Sequence, residues 1–307
     1  MIVYLSERID PAAVERLKSR VQLVDNFDHM EEIEAIILRN IPVTAEMMDR
    51  APKLKLIAKH GVGVNTIDVR AARERGIIVT NTPTANANAV AELVVGLVLA
   101  AERRLYEANA GCRADRYSRI APSELTGNEL TGKVLGQIGM GNIAQRAAHI
   151  LHNGFDMKLL GFDPFIDAQE ASKRGFEKVE QLEELIERSD VINISVPLTE
   201  GTKDLISGSV FDHFRKNAVL INASRGGIVN EEDLYQALKA GKLKAAACDA
   251  FVQEPPTQAC PLLELENFSA TPHIGGNSEE ALQAAGQAVV DEVINLLEGK
   301  PPVYPLR

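Results

Sequence analysis

At 307 residues the chain has room for about two domains of ordinary size, and 45% hydrophobic with 25% charged residues lets both bury a core without disulfide staples. A formal net charge of −10 argues against a nucleic-acid or anionic-membrane binder, which needs basic patches; the densest basic stretch, Arg70, Arg73 and Arg75, is interleaved with Glu74. Cys112, Cys248 and Cys260 form no CxxC pair and have no metal-ligand spacing, so neither a disulfide framework nor a metal is expected, and a reducing cytosol fits.

Ile2–Leu5 reads as a strand, and too few apolar residues precede the first charges for a signal peptide. Asp10 and Pro11 then open a helix, as cap and first residue. Apolar runs at 35–38, 54–58 and 77–79 alternate with helical patterns around 45–50 and 68–75. From Glu92 one long helical pattern is expected through LVVGLVLAAERRLYEAN, a connector leaving the first domain. Its apolar part, Leu93–Ala101, is well short of the roughly 18 residues of a membrane span. A soluble cytoplasmic protein follows.

After a polar loop near 118–128, strands are predicted at 133–138, 158–162, 191–196, 218–222, 245–249 and 268–271, with helices between them. Asn230 caps a helix with an acidic first turn that Gly241 ends, and a last helix runs from Ser278 to about Glu298. Alternating β and α units imply parallel sheets covered by helices.

The segment Lys133 to Ala144 reads strand, glycine turn, helix, with Gly139, Gly141 and Ala144 at GxGxxA spacing. Gly139 permits the tight turn, Gly141 lets a pyrophosphate approach the backbone, and Ala144 allows close packing of helix on strand. Such a motif alone is also compatible with a plain strand–helix turn. Asp163 ends the next strand, 22 residues after Gly141, where a carboxylate can accept from ribose hydroxyls. Pro164 and Phe165 follow it, with no arginine for a 2′-phosphate, so NAD is favoured over NADP.

Three later segments lie at predicted strand ends: Asn222-Ala-Ser-Arg225-Gly-Gly, Cys248-Asp249 through Glu254-Pro-Pro, and Thr271-Pro-His273-Ile-Gly275-Gly. With His60-Gly-Val-Gly63-Val-Asn65 and Asn81-Thr-Pro-Thr in the first third, the chain resembles the D-isomer-specific 2-hydroxyacid dehydrogenase family, phosphoglycerate dehydrogenases most closely. The resemblance implies two α/β domains around a cleft, each a Rossmann-like or flavodoxin-like parallel sheet. The substrate-binding domain would be residues 1–99 plus 284–307, and the NAD-binding domain residues 100–283.

The resemblance also implies roles. His273 is the acid/base, Glu254 its partner and Arg225 the clamp on the substrate carboxylate. Histidine suits proton transfer near neutrality, a carboxylate orients the ring, and a planar guanidinium matches a carboxylate. Asp249 would meet the nicotinamide carboxamide. Asn142, Ile143, Pro164, Val196, Pro197, Thr202, Ala223, Ser224 and Gly275 would line the NAD with Gly139, Gly141, Asp163, Arg225 and His273. The amides of Val62 and Gly63 would take the substrate carboxylate, with Arg39 and His60 also contacting substrate. A homodimer is implied, and no further C-terminal regulatory domain is expected.

Some positions depart from the pattern. His60 stands where phosphoglycerate dehydrogenases often have arginine, Asn65 replaces an aspartate, and Ser195 replaces a frequent histidine, whereas Arg39 matches an arginine that holds phosphate in that group. Glutamate at position 254 speaks against formate dehydrogenase, and valine at 62 against phosphite dehydrogenase. The readings carried forward are a phosphoglycerate-dehydrogenase-like enzyme, a glyoxylate/hydroxypyruvate reductase, and, from another class, an NADH-sensing co-repressor-like protein. His149 and His152, with no third ligand, read as helix surface.

Overall fold

The structure, a computed structural model, describes residues 1–306. In chain order it contains β1 (Ile2–Leu5), α1 (Pro11–Lys18), β2 (Gln22–Val24), β3 (Ile33–Leu38), α2 (Ala45–Asp49), β4 (Leu56–Lys59), α3 (Val69–Glu74) and β5 (Ile78–Thr80). Next come α4 (Ala87–Glu102), α5 (Leu105–Arg113), β6 (Val134–Ile138), α6 (Asn142–Phe155), β7 (Lys158–Phe162), α7 (Ala168–Lys173), β8 (Glu177–Lys178) and α8 (Leu182–Arg188). The remainder is β9 (Val191–Ile194), β10 (Val219–Asn222), α9 (Glu231–Lys239), β11 (Ala245–Cys248), β12 (Phe268–Ala270) and α10 (Glu279–Leu297). Helices start where the sequence supplies a cap: Asp10, Thr44, Asp68, Asp167, Asn230 and Ser278 each accept from the amide three residues on.

The chain forms two compact units, Met1–Ala89 with the stretch from Gly276 onward, and Val90–Gly275. The sequence-based junctions, near 99 and 284, fall inside helices. Val94, Leu97 and Val98 of α4 pack in the core of the second unit, while α10 packs with α1 in the first.

Unit 1 is a five-stranded sheet in the order β2-β1-β3-β4-β5, parallel throughout. Successive side chains alternate faces. Ala35 and Ile37 therefore join Leu17, Val289 and Val293 of α1 and α10, while Ile36 and Leu38 join Met48 and Ala72 of α2 and α3. Burial on both faces explains the unbroken apolar run of β3. β2 was not anticipated, because this edge strand is short and its Gln22 is exposed.

Unit 2 is a seven-stranded parallel sheet in the order β12-β11-β10-β9-β6-β7-β8. Ile192, Leu220 and Ala246 meet α8 and α9 on one face, and Val191, Val219 and Leu135 meet α4 and α6 on the other. Each fully buried aliphatic side chain stabilises the unit by about 1.5–3 kcal/mol before chain entropy is charged against it. The strand order reverses beside β6, which has β7 on one side and β9 on the other. Ligands of open parallel sheets bind at the carboxyl ends of strands at such a reversal.

The expected long connector is two helices. The carbonyl of Glu102 accepts from Asn128 N and Lys244 Nζ at 3.1 and 3.0 Å, so it is drawn away from helix bonding. Arg104 is left-handed, φ 53°, and α5 begins after it. The fully buried Glu102 side chain is held by Lys133, Lys244 and Asn128 at 3.3, 2.5 and 3.0 Å. Periodicity alone could not reveal that break, since both halves keep helical spacing.

Candidate active site

The glycine turn lies at the strand-order reversal of unit 2. Gly139 has φ 81°, and a Cβ there would lie 2.6 Å from Val196 Cγ1 and 2.7 Å from the Ser195 carbonyl, so only glycine fits between β6 and the end of β9. Gly141 caps α6 without any side-chain acceptor, and a Cβ on it would meet nothing within 4 Å. An uncapped first turn on an open face is suited to a phosphate. Asp163, just past β7, accepts from Met140 N through Oδ2 at 3.1 Å and from Phe165 N through Oδ1 at 3.0 Å. Its remaining lone pairs are available for ribose hydroxyls. The turn, the uncapped helix and the acid therefore fit a dinucleotide.

Asn142, Ile143, Pro164, Val196, Pro197, Ala223 and Ser224 all follow strand ends on this same edge of the sheet. The Thr202 hydroxyl donates to Pro197 O at 2.6 Å and accepts from Thr199 N at 2.8 Å, closing the turn after β9.

Three further strand ends converge. Asn222, buried at the end of β10, accepts from Ser224 N and Ser224 Oγ through Oδ1 at 3.1 and 2.7 Å, and donates to Arg225 O at 2.9 Å. This side-chain-made turn sets Arg225. A Cβ on Gly226 would stand 2.0 Å from the Phe251 carbonyl group, so glycine there lets the loop after β10 cross the loop after β11. Burial pushes the Arg225 guanidinium down from its ordinary value and the charge of Glu254 opposes this. It stays protonated at any working pH.

Glu254, in the loop after β11, accepts from Phe251 N at 3.0 Å, and His273 Nδ1 donates to its two oxygens at 3.0 and 2.8 Å. Burial alone would raise the Glu254 carboxyl. The bonds from His273 and Phe251, with the charges of His273 and Arg225, outweigh that and hold it below the ordinary carboxylate range. With Nδ1 bound to a carboxylate, Nε2 is the nitrogen of His273 that can exchange a proton.

His273 is left-handed, φ 56°, a costly conformation for a non-glycine residue that must be held in place. Asp249, buried at the end of β11, supplies the hold. Its Oδ1 accepts from Thr271 Oγ1 and Ile274 N at 2.6 and 2.8 Å, and its Oδ2 from Gly275 N at 2.8 Å. A carboxylate singled out for the cofactor thus also braces the histidine loop. Sequence reasoning missed Asn222 and Thr271; an Asn ending a buried strand before a small-residue turn was the available signal for the first.

In unit 1, the strand order reverses beside β1, between β2 and β3. Glu7, after β1, accepts from Arg39 N at 2.7 Å and from Asn40 N at 2.9 and 3.0 Å. Burial would raise its carboxyl, but the bonds from Ser6, Asn40 and Arg39 keep it below the usual range. His60, after β4, is buried, and its Nε2 donates to Leu282 O at 3.3 Å. Burial first, and then the charge of Arg39, pushes the imidazole below its ordinary value, so His60 is neutral. The 61–63 turn is held by Gly61 N donating to Thr82 Oγ1 at 2.9 Å and by Asn81 Nδ2 donating to Val62 O at 2.8 Å. Among the described residues the amides of Val62 and Gly63 donate to nothing.

A family model for the NAD-binding domain of D-isomer-specific 2-hydroxyacid dehydrogenases matches residues 95–275. The chain is 41% identical over 275 residues to a D-3-phosphoglycerate dehydrogenase of Methanocaldococcus jannaschii, covering 89% of this chain and 52% of that protein. It is 36% identical to a hydroxypyruvate reductase of Thermotoga maritima, covering 96% of this chain and 98% of that one. The chain spans about half the length of the phosphoglycerate dehydrogenases of M. jannaschii and Archaeoglobus fulgidus, 52% and 50%. Among solved structures, a Thermus thermophilus protein matches over 100% of both chains with TM-score 0.93 and 32% identity. An NADPH-dependent glyoxylate/hydroxypyruvate reductase of Sinorhizobium meliloti, in complex with NADP and malonate, matches over 99% of this chain and 96% of that one, with TM-score 0.89 and 28% identity.

Proposed function

Because the chain belongs to the D-isomer-specific 2-hydroxyacid dehydrogenase family, we propose that it interconverts a small 2-oxo acid and its D-2-hydroxy acid with NAD(H), as a phosphoglycerate-dehydrogenase-like enzyme. The observation that carries this reading is the His273 ring held through Nδ1 by both oxygens of Glu254 in the unit that matches the family's NAD-binding domain. When bound, the nicotinamide supplies or accepts the hydride. His273 Nε2 gives a proton to the carbonyl oxygen in reduction and takes it back in oxidation. The ionised Glu254 keeps the ring oriented, with Nδ1 committed and Nε2 left for proton transfer. Arg225 clamps the substrate carboxylate and polarises the carbonyl.

Cofactor binding is assigned to Gly139, Gly141, Asn142, Ile143, Asp163, Pro164, Val196, Pro197, Thr202, Ala223, Ser224, Asp249 and Gly275, alongside Arg225 and His273. A 2′-phosphate would meet the Asp163 carboxylate, which supports NAD over NADP. Substrate binding is assigned to Arg39, His60, Val62, Gly63 and Arg225, with unit 1 as the substrate-binding domain. A homodimer in the cytoplasm completes the reading; no helix among the described residues is long and apolar enough to cross a membrane.

One observation favours the hydroxypyruvate or glyoxylate reductase reading within this class. His60 is neutral, with Nε2 committed to Leu282, so it adds no positive charge for a phosphate to meet. The test is NADH oxidation with phosphohydroxypyruvate, hydroxypyruvate, glyoxylate, pyruvate and a branched 2-oxo acid. Turnover of one substrate by orders of magnitude over the rest supports the class and names the substrate. Silence on the whole panel with NADH still bound shifts the reading to the NADH-sensing protein.

A further inference from the structure

The Gly139–Gly141 turn is pinned at two successive peptide units. In the first, Met140 N–H donates to Asp163 Oδ2 at 3.1 Å. In the second, the Met140 carbonyl accepts from two side chains, Gln145 Nε2 at 3.1 Å and Arg174 Nη1 at 2.8 Å. Arg174 follows α7, and its Nε and Nη2 are held by Glu170 Oε1 at 2.9 and 2.8 Å. The guanidinium is thus fixed by an acid on one side and presents its remaining arm to the turn.

We propose that Arg174 is a positioning residue for the dinucleotide, setting the direction of the Gly141 N–H by anchoring the Met140 carbonyl. In a trans peptide the carbonyl and the following N–H point opposite ways. Holding Met140 C=O toward Arg174 therefore aims Gly141 N–H away from it, and that N–H donates to no group among the described residues. A peptide unit entering a glycine rotates easily, and rotation here would turn a carbonyl oxygen toward the phosphates in place of a donor. The charged donor also polarises the peptide, strengthening the N–H at its far end. Gln145 assists from α6, but as a neutral donor.

The inference rests on unit 2 binding NAD(H), and the experiment separates the two. NADH binding is measured by calorimetry, without substrate, on the wild-type protein and on Arg174→Leu, Arg174→Lys and Gln145→Leu. Wild type that binds no NADH overturns the cofactor assignment itself. With wild type binding, Arg174→Leu should weaken NADH about tenfold, the scale of one charge-assisted hydrogen bond, and Gln145→Leu about threefold. Arg174→Lys should recover most of the affinity. The peptide spanning the glycine turn should exchange its amide hydrogens faster in cofactor-free Arg174→Leu. In turnover, KM for NADH should rise with kcat at saturating NADH unchanged. A Kd for Arg174→Leu within twofold of wild type, whatever its melting temperature, overturns the proposal. So does equal weakening in Arg174→Leu and Arg174→Lys. Should Arg174→Leu fail to fold, Arg174→Met takes its place, and a Kd within twofold of wild type overturns the proposal.

Discussion

The two sheets present loops at the same end of their strands, yet the loops are furnished differently. In unit 2, side chains clamp the turns: buried Asn222 sets Arg225, buried Asp249 braces residues 271–275, exposed Glu254 orients His273 and half-buried Asp163 pins Met140. In unit 1, Glu7 holds the turn after β3, but the Val62 and Gly63 amides donate to nothing among the described residues. Unit 2 is built as a preorganised machine for one kind of chemistry, where misplacing a group costs rate directly. On the proposed function, the open Val62 and Gly63 amides of unit 1 are the donors left for a substrate carboxylate.

The sharpest way to break this contrast is to remove the proton-transfer group alone. His273→Ala should lower turnover by about 10³-fold, within the range of positioned acid–base catalysis. NADH affinity should stay within a few-fold of wild type, because the pins on the glycine turn do not involve His273. Single-turnover NADH oxidation with calorimetric binding decides it. Near-normal turnover would remove His273 from the mechanism.

A smaller effect tests the clamp. Asp249→Ala would leave the Ile274 and Gly275 amides and the Thr271 hydroxyl without their acceptor. Orphaned buried donors cost about 1–3 kcal/mol each. The left-handed His273 would lose its brace, so kcat should fall about 10–100-fold and the melting temperature of unit 2 should drop, as read by activity and calorimetry together. An unchanged kcat would mean that Glu254 holds the histidine without help.

The same contrast governs what the sequence made legible. Arg225, Glu254, His273 and the glycine turn sit in compact motifs, because each strand end must carry a fixed residue type at a fixed offset, and the structure places Arg225, Glu254 and His273 together in unit 2. The parallel α/β layout was legible from apolar runs alternating with capped helices. The clamps were not. Arg174 lies 34 residues from the carbonyl it holds, and no local pattern links the two. The break before α5 was hidden likewise, since it depends on Lys244 and Asn128 reaching Glu102. In unit 1, His60 stood out in the sequence as a candidate substrate contact, but its burial and its bond to Leu282 depend on α10 returning from far along the chain.

That bond gives the mildest and most local prediction. His60 is held below its ordinary value by burial and by Arg39. Above the unfolded histidine value, about 6.5, the ring is neutral both folded and unfolded and its contribution is full. As pH falls below that value the unfolded chain takes up a proton that the folded unit does not, and stability is lost until the folded group titrates too. One group cannot impose a slope above about 1.4 kcal/mol per pH unit. In His60→Gln the amide nitrogen stands near the position of Nε2 and can still donate to Leu282 O, but nothing titrates. Thermal midpoints of wild type and variant should therefore run parallel above pH 7 and converge or cross as pH falls toward 5, with wild type losing more. Parallel curves throughout would mean that His60 ionises as freely in the fold as out of it, and the argument that it presents no charge to a substrate phosphate would fall with them.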